Sequence, residues 1–356
     1  MKISSFSAWP VACPLTRPYT IAFHTFDSVQ MMVVRLSDDE GRVGVGTATP
    51  VEEITGESFA ACRDALSYDR LAWLLGRDVR RLPALCRQLR ERLPHNPAAR
   101  AAVDIALHDL WAQALGVPLV EALGRAHHSL PTSVTIGIKP ADEALAEADE
   151  YLGRGFRILK VKAGQSLDED LERLARLRDH VGREIVIRVD PNQGYTSEEV
   201  LRFVERTAKL EIEFLEQPML AGDLEGLCAL PDAVRRRIAA DESLLDESDG
   251  LRLLSPTPAC GIWNIKLMKC GGVFPAGRIA ALAELGGIEL MWGCMDESIA
   301  SITAALSVAL ASPATRYLDL DGSFDLAGDV VEGGFILENG CLRAPDSPGL
   351  GVRLLE

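Results

Sequence analysis

Ile185-Val186-Ile187-Arg188-Val189-Asp190-Pro191-Asn192-Gln193-Gly194 is the stretch whose reading decides the fold. A β-branched run that ends on a carboxylate and passes into a Pro/Gly-bounded loop reads as a buried parallel strand reaching its functional face. Two later stretches repeat the design: Glu213-Phe214-Leu215-Glu216-Gln217-Pro218 and Arg237-Ile238-Ala239-Ala240-Asp241-Glu242-Ser243. The acids follow one another at 26 and 25 residues, about one strand-plus-helix unit each. In a barrel of such units Asp190, Glu216 and Asp241 reach one rim, where three convergent carboxylates call for a cation.

Outward from this stretch, the strand-loop-helix rhythm runs from about residue 130 to 320. Candidate strands are 132–138, 156–162, 185–190, 212–216, 237–241, 261–266, 287–292 and 316–320. Eight units predict an α/β fold, a TIM-type (β/α) barrel over 126–321 with its site at the strand C-terminal ends. Before it, residues 1–125 read as an α+β capping domain. Three alternating stretches (2–9, 29–36 and 43–48) form a meander, and helices follow near 57–75, 83–92 and 98–115. The segments 16–27 and 50–57 are too irregular for strands and are expected as lid loops over the barrel mouth. Residues 322–356 turn back to hairpin composition and are expected to complete the capping domain.

Composition narrows the function. The 37 basic and 52 acidic side chains leave a net charge of −15 with no basic run, which argues against nucleic acid and anionic membranes as partners and favours a small molecule. The eight cysteines are scattered, without a Cys-x-x-Cys pair, as expected of a cytoplasmic protein. Prolines 10 and 14 interrupt the N-terminal apolar stretch, so it makes a poor signal peptide, and no run approaches the ~18–20 apolar residues of a membrane helix. Oligomeric state is left open, with a homo-oligomer compatible.

The second strand ends Leu159-Lys160-Val161-Lys162-Ala163-Gly164, and alternation turns Lys160 and Lys162 to the same face, into the barrel mouth. Mutual repulsion and burial are expected to depress their pKa, leaving a neutral base at about pH 7–8. Lys266, at the end of the sixth strand, lies across the ring. A carbon acid between Lys162 and Lys266 would have a lysine on each face, while Lys269, further into the Gly-rich loop, is expected to be exposed. Loss of a proton α to a carboxylate leaves two negative charges on oxygen, which a hard dication on Asp190, Glu216 and Asp241 could take up; all-oxygen ligation favours Mg²⁺.

The set Lys160-Val-Lys162, Asp190-Pro-Asn192, Glu216-Gln-Pro218, Asp241-Glu-Ser243 and Asn264-Ile-Lys266 closely resembles the muconate lactonizing enzyme subgroup of the enolase superfamily, over essentially the whole chain. The resemblance implies a Mg²⁺-stabilised enediolate, with Lys162 and Lys266 as the acid/base pair and Lys160 tuning Lys162 and touching the substrate carboxylate. The eighth strand ends Tyr317-Leu318-Asp319-Leu320-Asp321-Gly322, similar to the Asp-x-Asp pair with which the dipeptide epimerase branch holds an α-ammonium. Two sheltered carboxylates suit a primary ammonium. Thr135, in Thr135-Ile136-Gly137-Ile138, also matches that branch.

The resemblance therefore implies an isomerase that inverts the α-carbon of the C-terminal residue of a dipeptide. Where Ala-Glu epimerases of the family carry a lid arginine, this chain has His24. Glu52 and Glu53 in the second lid segment and Asp296 after the seventh strand offer carboxylates instead, which would select Lys or Arg side chains. An o-succinylbenzoate synthase, a muconate-type cycloisomerase or an N-acylamino acid racemase would use the same lysines and metal but leave Asp319 and Asp321 without a role. A non-catalytic binding barrel would not need a base on each face.

Overall fold

Alternating residues at the N-terminus pair into a long hairpin, β1 (Ile3–Thr20) against β2 (Thr25–Asp38), and β2 pairs in turn with β3 (Val43–Ala48). The computed structural model describes residues 1–20 and 25–355. The first segment expected as an irregular lid loop is therefore mostly strand on either side of residues 21–24, and His24 lies outside the described residues. The prolines that hid the alternation sit on β1, an edge strand: Pro10 opposes Met32 and Pro14 opposes Ser28, where a missing N–H leaves no inner ladder broken. The second segment, 50–57, contains a one-turn helix, Glu52–Thr55, closed by Gly56 at φ 69°.

β3 lies directly on the helix Pro97–Leu115. A Cβ at Gly44 would fall 2.2 Å from the Ala106 carbonyl oxygen and one at Gly46 2.0 Å from that of Ala102, so the Val-Gly-Val-Gly pattern is what lets strand and helix touch. This helix is apolar nearly all round because it is buried nearly all round. The helix expected over 57–75 is instead two short helices, Phe59–Ala65 and Tyr68–Leu71, followed by a 3₁₀ turn at Ala72–Leu74. Its new start is at Ser67, a residue that favours helix entry over helix interior.

β4 (Ser129–Pro131) leads into eight parallel strands: β5 (Val134–Ile136), β6 (Ile158–Lys162), β7 (Val186–Asp190), β8 (Ile212–Glu216), β9 (Ile238–Ala240), β10 (Ile262–Ile265), β11 (Glu289–Trp292) and β12 (Thr315–Leu318). Each pairs with its sequence neighbours, and a parallel bridge between Thr132 and Leu318 brings the two ends of the sheet together into a barrel. Near its base Phe214 and Tyr317 flank the Arg188 guanidinium, 5.2 Å from each ring centre.

After the barrel, β13 (Val331–Gly333) pairs with β16 (Val352–Leu354), and β14 (Ile336–Glu338) with β15 (Cys341–Arg343), which also pairs with β4. The segment leading into the last strand packs on the first domain: the buried Asp109 carboxylate accepts the backbone N–H of Val45 at 3.0 Å and of Leu350 at 2.8 Å. Among the described residues no helix is long and apolar enough to cross a membrane, and all eight cysteines are free thiols.

Candidate active site

The strand ends converge as the pattern of acids and lysines requires. β6 is buried along its whole length, and its register sets Lys162 opposite Asp190. Lys162 Nζ lies 2.7 Å from Asp190 Oδ2; Lys160 Nζ is shared among Asp190 Oδ2 (3.1 Å), Glu216 Oε2 (2.6 Å) and Asp319 Oδ2 (2.8 Å). Across the barrel, Lys266 Nζ lies 2.7 Å from Asp241 Oδ2. Lys269, expected to be exposed, is instead 3% exposed and donates to Asp241 Oδ1, to the Asp241 carbonyl and to the Asn264 carbonyl. The short helix Leu267–Cys270 turns it back into the barrel, a reversal that a strand-period reading of the loop could not foresee.

The expected depression of the lysine pKa values is overturned. Burial pulls the Lys160 ammonium down, but Asp319, Glu216 and Asp190 overcome it and hold the group well above its ordinary value. Lys162 and Lys266 follow the same balance, burial being outweighed chiefly by Asp190 and by Asp241 respectively. The acids answer in kind. Burial pushes Asp190 up, yet Lys162 and Lys160 bring it below its usual range, and Lys266 with Lys269 does the same more strongly for Asp241. Glu216 is pushed up to about 7 by burial and by Asp190, despite Lys160 nearby, because that ammonium serves three carboxylates at once.

Asp319 and Asp321 lie one and three residues past β12. Asp319 Oδ1 accepts the Ser133 hydroxyl at 2.6 Å while its Oδ2 takes Lys160; beneath, Arg188 binds the Ser133 hydroxyl and the Leu318 carbonyl. Asp321 Oδ2 accepts the Thr135 backbone N–H at 2.7 Å, and its carboxyl is raised to about 7 by burial and by the charge of Asp319. The two aspartates therefore differ. Asp319 is neutralised by a lysine, whereas Asp321 gains a backbone hydrogen bond and no ion pair among the described residues.

Lys160, Lys162, Lys266, Asp321 and Asp296 line a single cavity of about 180 Å³, and Thr135 and Asp319 complete its wall. The Asp296 carboxyl is pushed up to about 7 by burial and by Asp325. Ser298, not Asp296, caps the following helix. Glu52 and Glu53 are exposed on their short helix, which presents Val51 and Ile54 to the cavity instead, so the structure does not bring Glu52 into the wall. Sequence reasoning passed over Asp325 and gave no role to Glu242 and Asn192, which it quoted only within the motifs Asp241-Glu-Ser243 and Asp190-Pro-Asn192. Asp325 is an acid four residues beyond Asp321, a spacing that could have drawn attention to it. Glu242 is pushed up to about 8 by burial and by Asp241, and among the described residues its carboxylate accepts one hydrogen bond, from the Asn192 amide at 3.4 Å. Asn192, Gln193 and Gln217 hold φ values of 44°, 67° and 30°, left-handed conformations that cluster where β7 and β8 meet this site.

Asp190, Glu216 and Asp241 are fully buried on adjacent strands, behind the lysines that line the cavity. Among the described residues Asn192 Oδ1 and Glu242 Oε2 lack a hydrogen-bond donor, and Glu216 Oε2 has only the shared Lys160 ammonium at 2.6 Å. A buried set of hard oxygen atoms with surplus negative charge suits a small dication such as Mg²⁺. A lysine on each side of one cavity, next to such a set, can remove and return a proton on opposite faces of a bound carbon acid.

Two family models cover nearly the whole chain: "Mandelate racemase / muconate lactonizing enzyme, N-terminal domain" matches residues 6–124 and "Enolase C-terminal domain-like" residues 143–356. The L-Lys-D/L-Arg epimerase of Methylococcus capsulatus is 59% identical over 352 residues, 99% of each chain. The L-Ala-D/L-Glu epimerase of Bacillus subtilis is 36% identical over 355 residues, 99% of this chain and 97% of that one. The crystal structure of a dipeptide epimerase from M. capsulatus with Mg and the dipeptide L-Arg-D-Lys superimposes with a TM-score of 0.98, at 59% identity and 99% coverage of both chains.

Proposed function

Because the chain belongs to the mandelate racemase/muconate lactonizing enzyme group of the enolase superfamily, we propose that it is a Mg²⁺-dependent dipeptide epimerase that prefers cationic, Lys- or Arg-containing dipeptides. The observation that carries the reading is the meeting, in one cavity, of opposed Lys162 and Lys266 with the Asp319/Asp321 pair. Relatives named for epimerising L-Lys-D/L-Arg and L-Ala-D/L-Glu support it.

Asp190, Glu216 and Asp241 would hold Mg²⁺, which when bound binds the substrate carboxylate and stabilises the negative charge that develops on it. Asp321, with Asp319 behind it, binds and orients the dipeptide's α-ammonium, so the C-terminal α-carbon falls between the two lysines. One lysine, in its neutral form, takes the α-proton from its face, and the other, as an ammonium, delivers a proton from the opposite face; Asp190 and Asp241, which hold the two ammonium groups in the charged form, would be drawn to the cation instead and so release the base. In the reverse direction the roles exchange. Lys160, fixed by Asp319, stays protonated and places a positive charge beside Lys162 and the substrate carboxylate. Val51 and Ile54 exclude water above the site.

The side-chain preference rests on Asp296, whose carboxylate faces the cavity without an ion pair among the described residues. The rival reactions, o-succinylbenzoate synthesis, cycloisomerisation and N-acylamino acid racemisation, use substrates without an α-ammonium and would leave Asp321 facing no cation. The eight free thiols suit a reducing, cytoplasmic setting.

The test is incubation of the protein with Mg²⁺ and pooled L,L-dipeptides in D₂O. Mass spectrometry should find a one-dalton gain at the C-terminal α-carbon, largest for Lys and Arg peptides. No gain in any dipeptide, with turnover of a succinylbenzoate- or muconate-type acid, would overturn the reading.

A further inference from the structure

Asp325 takes no part in the roles assigned above, yet it lines the same cavity as Lys162, Lys266, Asp296 and Asp321. Its place is set by β1: the Thr16 N–H donates to the Asp325 carbonyl at 2.7 Å, Leu15 bridges Leu326, and the Ala327 N–H donates to the Pro14 carbonyl at 2.9 Å. The cation on that stretch of β1 is already engaged. Arg17 binds Glu150 at 2.8 Å and Glu147 at 3.3 Å, and its guanidinium lies 5.9 Å over the Tyr151 ring. Among the described residues no hydrogen bond or ion pair reaches the Asp325 carboxylate. Arg17 and Arg154 lie near enough for their charge to act on Asp325, but both are paired with Glu150, so a carboxylate held at the cavity wall by its backbone keeps its oxygens available to a ligand.

Its position along the cavity says which part of the ligand. The Phe324 N–H donates to the Asp321 carbonyl at 2.8 Å, a tight turn that keeps Asp325 near the Asp321 end, and the Glu297 N–H donates to the Gly322 carbonyl at 3.3 Å, which sets the Asp296 loop beside the same turn; the charge of Asp325 accordingly acts on both acids. Asp296 also feels Lys162 and Lys266, which flank the reacting carbon, whereas Asp321 belongs to the ammonium end. We propose that Asp325 is a specificity residue that receives the cationic side chain of the dipeptide's N-terminal residue, while Asp296 faces the side chain of the C-terminal residue. This assignment rests on the dipeptide reading above. It divides the cavity's acids by peptide position, so each should affect only one side chain.

The test compares wild type and Asp325→Asn, both full-length with Mg²⁺, on Lys-Ala, Ala-Lys and Ala-Ala dipeptides. Loss of one charge-assisted contact should lower the Lys-Ala over Ala-Ala ratio of kcat/KM about 10- to 100-fold, mainly through KM, and leave the Ala-Lys over Ala-Ala ratio in place. Asp296→Asn should show the converse. An equal fall on all three peptides, or a shift in thermal stability with both ratios unmoved, would overturn the assignment and make Asp325 a structural partner of the β1 contact. Should Asp325→Asn not fold, wild type supplies the control: it must prefer Lys-Ala to norleucine-Ala, and no preference there overturns the proposal equally. Wild type inactive on every dipeptide is a different result, which removes the epimerase reading itself.

Discussion

Replacing Lys266 by Ala should separate the two halves of the reaction, and the geometry indicates how cleanly. Lys266 is one of two ammonium groups on Asp241, and Lys269 remains to hold that carboxylate. Likewise Lys162→Ala leaves Asp190 with Lys160 at 3.1 Å. Each variant therefore loses one charge-assisted hydrogen bond without stranding a buried acid, at about 1.5–3 kcal/mol, which a chain of this size should survive folded. Catalysis is far more sensitive. A positioned acid/base group contributes about 10²–10⁴-fold, and inversion needs both lysines, so net epimerisation should fall by at least that factor in either variant. Proton removal on the intact face should persist. In D₂O, with ¹H NMR following the α-proton of separate L,L- and L,D-dipeptides, Lys266→Ala should wash out the proton of one epimer and Lys162→Ala that of the other. If both variants exchanged both epimers at equal rates, the arrangement of one base per face would be wrong. Loss of all exchange in a folded variant would point to a single lysine serving both faces.

Asp321, pushed up to about 7 by burial and Asp319, is protonated below that pH and then cannot pair with an ammonium. With a dipeptide of neutral side chains, kcat/KM should rise with pH toward a plateau above about 7; Asp321→Asn should flatten this limb and raise KM about 10- to 100-fold, and an unchanged profile would refute the ammonium role. Asp109, raised to about 6 by burial despite three hydrogen bonds, binds its proton more tightly folded than unfolded. Its contribution is therefore most favourable below about pH 4 and is lost as pH rises to about 6, a change of about 2–3 kcal/mol at 1.36 kcal/mol per pKa unit. Urea titrations at pH 4.5 and 7 should find the stability gap between Asp109→Asn and wild type moving in the variant's favour at the higher pH, and a constant gap would exclude this titration. Chelation with EDTA should abolish epimerisation and lower the melting temperature without unfolding the protein, since the four lysines still balance the acids; activity that survives EDTA would rule out a metal requirement.

The barrel and the convergence of its acids and lysines were legible because strand period and acid spacing reinforce one another: Asp190, Glu216 and Asp241 each end an apolar run, and β6 and β8 lie within the stretches read for them. What stayed hidden depended on chain reversals and prolines. Pro10, Pro14 and Pro18 broke the alternation of β1, which tolerates proline only because it is an edge strand. Lys269 reads as a loop lysine until one helical turn folds it under Asp241. Repulsion between Lys160 and Lys162 was visible in the sequence, but the opposing field of Asp190, Glu216 and Asp319 comes from three other strands and needs three dimensions. Glu52 shows the same limit in reverse, an acid in the right segment turned outward by a helix only four residues long.

The two backbone groups that meet on the Asp109 carboxylate come from residues 45 and 350, nearly opposite ends of the chain. During synthesis the first of them emerges from the ribosome some three hundred residues before the second. Helix Pro97–Leu115 can dock on β3 early, but its buried acid keeps a free lone pair until the segment leading into the last strand arrives. The roof of the site is thus finished last, after every strand of the barrel it covers has been made. A nascent chain or a truncation ending before Leu350 should carry a loosened cap on a formed barrel, a species that limited proteolysis would cut first in the N-terminal domain.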